Sequence, residues 1–184
     1  MTAVRRANRG PSAAQANRRA LVAAALEVFA EGGIDAPLSA VAKKAGVGQG
    51  SLYRHFPDRV SLALAAFEEN VAALEAKAAE PDCALDDLLA MITRQTIDSI
   101  VFVDIMTTGG TDPRLEAVVS RVRAALAGPL QAARSGGTVR KSLTIDDLML
   151  AIGMVAALVA KTPPGERRET ADSAWSLLRL ALRA

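Results

Sequence analysis

Val60, Leu64, Phe67, Val71 and Leu74 are spaced by 4, 3, 4 and 3 residues. That repeat lines one face of an α-helix, whereas a strand would alternate at every second position. The stretch therefore predicts a long amphipathic helix. Similar spacing returns on either side of it, in Val22, Leu26 and Phe29 and again in Leu85, Leu88, Leu89 and Ile92. Composition agrees, since 51% of the 184 residues are apolar but only 3% are aromatic. The core must be built from Ala, Leu, Val and Ile, a mixture dominated by helix formers. The expected fold class is all-α.

Glycine and proline divide the chain into nine expected helices. The first ends at Gly32-Gly33, and Ile34 to Pro37 forms a turn. Ser39 is placed to cap or open a short second helix carrying Val41 and Ala42 inward, which Gly46 stops. A short third helix follows from about Gln49 to His55, with Leu52 and Phe56 four apart on one face. Beyond Pro57 and the long helix, Asp82 is the expected cap of the next, and a segment from Ile97 to Met106 ends at Gly109-Gly110. Pro113 opens a helix reaching about Arg134, and Leu143 to Lys161 and Glu166 to Arg183 complete the set. The domain reading is a basic arm at 1–14, a helix-turn-helix head at 15–57 and a helical body at 58–184.

Charge is divided along these lines. Residues 1–60 hold nine Lys/Arg against four Asp/Glu, while residues 61–184 hold 13 against 16. A head at +5 on a body at −3 points the first third toward a polyanion. Part of the excess, Arg5, Arg6 and Arg9, lies in a Gly/Pro/Ser/Asn-containing segment with little to fold around. The single cysteine, Cys83, can form neither an internal disulfide nor a structural zinc site. No metal or cofactor is expected, and a reducing, cytoplasmic setting fits. The apolar run from Leu148 to Ala160 has 13 residues, where a membrane span needs about 20, so no membrane partner is expected.

The stretch Gly46 to Phe56, GVGQGSLYRHF, holds the only tyrosine and the only histidine. In a helix-turn-helix the last helix lies in the major groove, its leading residues at base edges and its flanks on phosphates. Gln49, Gly50 and Ser51 form that leading turn, with short or amide-bearing side chains. Tyr53, Arg54 and His55 lie off the Leu52/Phe56 face, where they suit phosphate and thymine-methyl contacts. The alternative is that Tyr53 and His55 pack the small head with only their polar tips wet. A catalytic reading has no cysteine, serine elbow or acidic partner near His55 in the motif, so no enzyme is expected.

The run from Arg19 to Phe67, above all APLSAVAKKAGVGQGSLYRHFPDR, resembles the N-terminal DNA-binding domain of the TetR family of one-component transcriptional regulators. The resemblance covers roughly a quarter of the chain, and the remainder matches only in helix number and order. It implies that Ser39 touches a phosphate, that Gln49 and Ser51 reach bases or adjacent phosphates, that Tyr53 and His55 meet the backbone, and that Arg59 grips a phosphate. Arg59 stands where the family usually has lysine, and either cation suits the task. Gly48 stands where many members have a capping serine.

The resemblance also implies an effector cavity within the middle helices and dimerisation through the last two. Phe67, Met91, Phe102, Met106 and Met154 are the candidate apolar lining, with ordinary core packing as the alternative; Asp104 is the candidate charged contact for a cationic ligand or for an arginine such as Arg121, with simple solvent exposure as the alternative. Gly153 and Ala157, with the stripe Ala174, Trp175, Leu178 and Leu182, are the candidate dimer contacts; packing within one chain is the alternative. Cys83 lies near an expected helix start, where a thiolate is favoured. The expected function is a homodimeric repressor released from a near-palindromic operator in double-stranded DNA by a small-molecule effector. The alternative is an effector-independent DNA-binding or nucleoid-associated protein acting through a protein partner.

Overall fold

In the computed structural model of the chain, the residues described are 11–33, 35–99 and 112–183. They form eight α-helices and no strand: α1 Pro11–Gly32, α2 Leu38–Lys44, α3 Gln49–His55, α4 Arg59–Ala78, α5 Leu85–Asp98, α6 Pro113–Ser135, α7 Ile145–Ala160 and α8 Arg167–Leu182. A short 3-10 turn, Pro164–Glu166, precedes α8. The fold is all-α. Of the expected segment Ile97 to Met106, Ile97 and Asp98 belong to α5, and 100–111 lie outside the described residues. The chain divides into two compact units, with the boundary inside α4 between Ala66 and Phe67.

In the first unit, α1 starts earlier than the sequence suggests and takes in residues 11–14 of the expected arm. Proline suits the first helical position, and the Ala-rich run after it propagates readily. The buried face of α1 is Leu21, Ala24, Ala25, Val28 and Phe29, while Leu26 is exposed and Val22 half-buried. Sequence periodicity aimed at Leu26 because it is large. Packing instead uses the alanines, whose small size lets neighbouring helices approach.

Gly33, at φ 70°, ends α1, and its N–H donates to the Phe29 carbonyl at 2.9 Å. Gly46, at φ 64°, does the same for α2, donating to the Lys43 carbonyl at 3.2 Å. Helix α2 begins after Pro37 without a side-chain cap, so Ser39 is its exposed second residue rather than its cap. A true cap opens α4. The Ser61 N–H donates to Asp58 Oδ1 at 2.7 Å and the Asp58 N–H to Ser61 Oγ at 3.3 Å, a reciprocal pair that makes Arg59 the first helical residue.

In the second unit, α5 to α8 pack around Leu88, Leu126, Leu130, Leu148, Val155 and Trp175. Trp175 Nε1 donates to Thr93 Oγ1 at 2.7 Å, and that hydroxyl donates to the Leu89 carbonyl at 2.7 Å. The buried indole therefore leaves no polar group unpaired. Helix α6 is capped by Asp112, which accepts from the Arg114 N–H at 2.9 Å. Helix α7 is capped by a reciprocal Thr144/Asp147 pair. Asp82 does not cap α5. That helix starts at Leu85, and the Ala84 N–H donates to Asp87 at 3.3 Å instead. The Arg140 N–H donates to the Leu182 carbonyl at 2.9 Å, tying the α6–α7 connection to the end of α8. Among the described residues no helix is long and apolar enough to cross a membrane.

Candidate functional site

Helix α3 has only seven residues, too few to hold together in isolation. It is pinned by Leu52 and Phe56, both essentially inaccessible, each contributing about 1.5–3 kcal/mol of apolar burial. The Arg18 guanidinium lies 4.9 Å over the Phe56 ring. At its N-terminus the cap position is Gly48, in extended conformation and without a side-chain bond. The Gly48 carbonyl accepts from Ser51 and Leu52 N–H at 2.8 and 3.1 Å.

With the buried face fixed, Gln49, Gly50, Tyr53 and Arg54 are exposed, Tyr53 at 53%. Ser51 is half-buried and its hydroxyl accepts from Arg54 Nη2 at 2.7 Å. His55 is also half-buried, with its ring tilted 48° against Phe56 at 6.3 Å between centroids. The tyrosine and histidine, grouped together in the sequence, thus part company. Tyr53 is free to contact a partner, and His55 is partly committed to packing.

Arg59 carries a buried Nη1 with no hydrogen-bond partner among the described residues. An unpaired buried donor is costly, and a phosphate oxygen would satisfy it. Lys43 and Lys44 also differ. Lys44 Nζ pairs with Glu27 at 2.7 Å and Glu31 at 3.5 Å, and the Glu27 hydrogen bond raises its pKa above the ordinary lysine value. Lys43, absent from the sequence-derived set, is exposed and makes no ion pair among the described residues.

The second unit contains a cavity of about 250 Å³. Phe67, Val71 and Leu74 of α4 form one wall and Val118, Val119 and Val122 of α6 another. Ile92, Gln95 and Thr96 of α5 and Met149, Ile152, Gly153 and Ala156 of α7 complete it. Outside the cavity the same α4 and α6 are tied by Arg121, whose Nε and Nη2 each donate to Glu75 at 2.8 Å, while Nη1 reaches Glu68 at 2.9 and 3.0 Å. The fork geometry holds Arg121 further above its ordinary pKa and Glu75 below its own, in each case chiefly through their mutual hydrogen bonds.

The sequence profile described as "Bacterial regulatory proteins, tetR family" matches residues 21–66, the segment that builds α2, the turn and α3. The chain is similar to a TetR transcriptional regulator from Streptomyces coelicolor, at 27% identity and a TM-score of 0.61, with 90% of this chain and 98% of that one covered. The chain is a TetR-family regulator. A second similar structure is the TetR regulatory protein from Mycobacterium vanbaalenii, at 26% identity, TM-score 0.59 and coverage of 94% and 98%. A gamma-butyrolactone receptor shares the fold at 19% identity, TM-score 0.63 and coverage of 93% and 90%. No curated protein is significantly similar in sequence. As a member of this family the protein is a DNA-binding transcriptional regulator rather than an enzyme.

Several expected ligand and dimer residues of this TetR-family chain sit elsewhere than the sequence suggested. Phe67 lines the cavity. Met91 is half-buried against the core and does not line it, and Met154 is exposed on α7. Phe102, Asp104 and Met106 lie outside the described residues, and Arg121 is already paired with two glutamates. Trp175 and Leu182 are core residues of their own unit, and Ala174 and Leu178 pack partly against that core. Trp175 and Leu182 are buried there, while Ala174 and Leu178 keep part of their surface accessible. The apolar residues left uncovered on α8 are Leu177 and Leu180, 70% and 80% exposed. Beside them in character are Leu150, Met154 and Leu158 of α7, four apart on one exposed face that also carries Gly153 and Ala157.

The sequence reading missed Gln95, Thr96 and the three valines of α6. The 118, 119, 122 spacing of those valines was the available signal. Cys83 stands two residues before α5, and burial pushes its thiol up, so the thiolate expected there is disfavoured.

Proposed function

We propose that the protein is a homodimeric repressor that reads a near-palindromic operator with α3 and leaves it when a small molecule fills the cavity of the second unit. The observation that carries the ligand-responsive part is that cavity, apolar and walled by four helices, one of which, α4, begins at Arg59. A ligand that binds one arrangement of α4 better than another shifts the population between them. Since α4 also carries Arg59, a shift alters how the head meets phosphate. That one fold relative is by name a small-molecule receptor supports the same reading.

On DNA, Gln49, Gly50 and Ser51 lead α3 toward base edges. Ser39, Tyr53, Arg54, His55, Lys43 and Arg59 supply backbone contacts. One short helix offers few base contacts, each worth about 1–3 kcal/mol of discrimination, so a second copy is needed for a specific site. The exposed Leu150/Met154/Leu158 face, together with Leu177 and Leu180, supplies the self-complementary patch.

The test is a titration of the DNA flanking the protein's own gene, with sedimentation equilibrium on the free protein. The same titration is repeated with each compound that raises its melting temperature. Dimer, site-specific binding and release by a stabilising compound are expected. Tight binding that no stabilising compound weakens would favour the effector-independent alternative.

A further inference from the structure

The chemistry of the cavity wall restricts what can occupy it. Among the described residues that line it none is charged, and only Gln95 and Thr96 are polar. Arg121, on α6 outside the cavity, already directs its donors to Glu68 and Glu75. A carboxylate or an ammonium ion entering the cavity would lose its hydration with nothing on the described wall to replace it, a cost of several kcal/mol.

The two polar residues differ from their neighbours in being incompletely used. Thr93, three residues before Thr96 on α5, donates to the Leu89 carbonyl and accepts from Trp175. Among the described residues the Thr96 hydroxyl has no hydrogen-bond partner, and the residue is 9% exposed. Gln95 Nε2 donates to the Asn70 carbonyl at 3.1 Å. A carbonyl can only accept, so this bond orients the amide and leaves its oxygen available. Adjacent in sequence and on one wall, the pair offers a donor and an acceptor inside an otherwise hydrocarbon surface. A volume of about 250 Å³ falls just below the roughly 300–1,000 Å³ of drug-sized sites.

We infer that the effector is a small, uncharged, mainly aliphatic molecule anchored through one hydroxyl or carbonyl oxygen by Thr96 and Gln95. This rests on the ligand-release reading above and specifies the chemical class that reading leaves open.

The experiment uses the full-length protein and a series sharing one carbon skeleton: 1-octanol, 2-octanone, octanoate and octylammonium. Displacement of the neutral fluorophore N-phenyl-1-naphthylamine reports binding, and operator affinity is measured in parallel. The alcohol and the ketone are expected to displace the fluorophore at least tenfold more tightly than either ion. Thr96→Val keeps the shape of the side chain and removes the hydroxyl. It should weaken 1-octanol by about three- to tenfold and leave the fluorophore's own affinity unchanged. Ala156→Leu fills the cavity and should weaken every member of the series, which locates binding there.

Tighter binding of octanoate or octylammonium would overturn the proposed class while leaving ligand control intact. Displacement in the expected order with unchanged operator affinity would instead sustain the class and remove the ligand-release reading. Loss of 1-octanol binding in Ala156→Leu but not in Thr96→Val would overturn the anchoring role of the threonine. No displacement by any member would overturn the proposal altogether.

Discussion

The two units of this regulator treat apolar surface in opposite ways. In the first, the large apolar side chains of α3 are hidden and the helix shows amide, hydroxyl, phenol and guanidinium groups. In the second, α7 and α8 bury one apolar face and leave another uncovered, while four helices enclose a cavity lined by hydrocarbon. The difference teaches what each is built to meet. A polar, charged surface pinned to a small core suits a polyanion, where phosphate contacts supply affinity. Exposed leucines and an apolar cavity suit partners that must themselves be apolar.

The comparison breaks most completely if the short recognition helix is unpinned. Phe56→Ala should destabilise the first unit by about 3–5 kcal/mol and abolish DNA binding. The second unit should retain its own melting transition, followed by circular dichroism and calorimetry. Loss of both transitions together would show that the units do not fold independently.

Next in size is the exposed face. Leu177→Asp with Leu180→Asp should yield a monomer that stays helical. It should lose specific operator binding by about a hundredfold or more, since central interface residues are worth about 2 kcal/mol or more each, and lose far less affinity for random DNA. Sedimentation equilibrium beside operator titration checks this. A variant that remains dimeric places the interface on another face. Leu182→Asp makes the contrast, because it puts charge into the core of its own unit and should unfold it.

Smaller effects sharpen the polar side. Arg59→Ala should weaken operator and random DNA alike and lower the slope of log affinity against log salt by about one. Tyr53→Ala should weaken binding without changing the melting temperature, because its ring is exposed.

In the second unit, the Arg114 side chain and backbone N–H pull the Asp112 carboxyl down to about 2. A depressed carboxyl contributes stability above its unfolded pKa and loses it as pH falls through the folded one. The stability difference between the native protein and Asp112→Asn should therefore hold at neutral pH and fade between about pH 4 and pH 2. An unchanged difference at pH 2 would place the cap's value elsewhere than in the charge. The smallest effect is Gly48→Ser, with open space around the added side chain. It should stabilise α3 by a few tenths of a kcal/mol, measurable as a small rise in the first unit's melting temperature.

Local chemistry determined much of this protein in advance. The positive φ of Gly46, the opening of α6 at Pro113, and the inward pair Leu52 and Phe56 all follow from what those residues permit over four or five positions. The helix-turn-helix was legible for that reason. Helix α8 was not, because it carries two apolar stripes, Ala171/Trp175/Leu178/Leu182 and Leu177/Leu180, and periodicity scores both. Size favoured the tryptophan stripe as the interface. The structure buries the indole within its own unit, since Thr93 on α5 supplies the hydrogen bond that makes it a good core group. Lys43 and Lys44 present the same problem on a smaller scale, as only the arrival of Glu27 and Glu31 from α1 distinguishes the paired cation from the free one. The cavity depends on four helices brought together from 67 to 156. A sequence fixes which face of a helix can be buried; which face is buried depends on partners distant in the chain, whose complementary shape and hydrogen bonds exist only after folding.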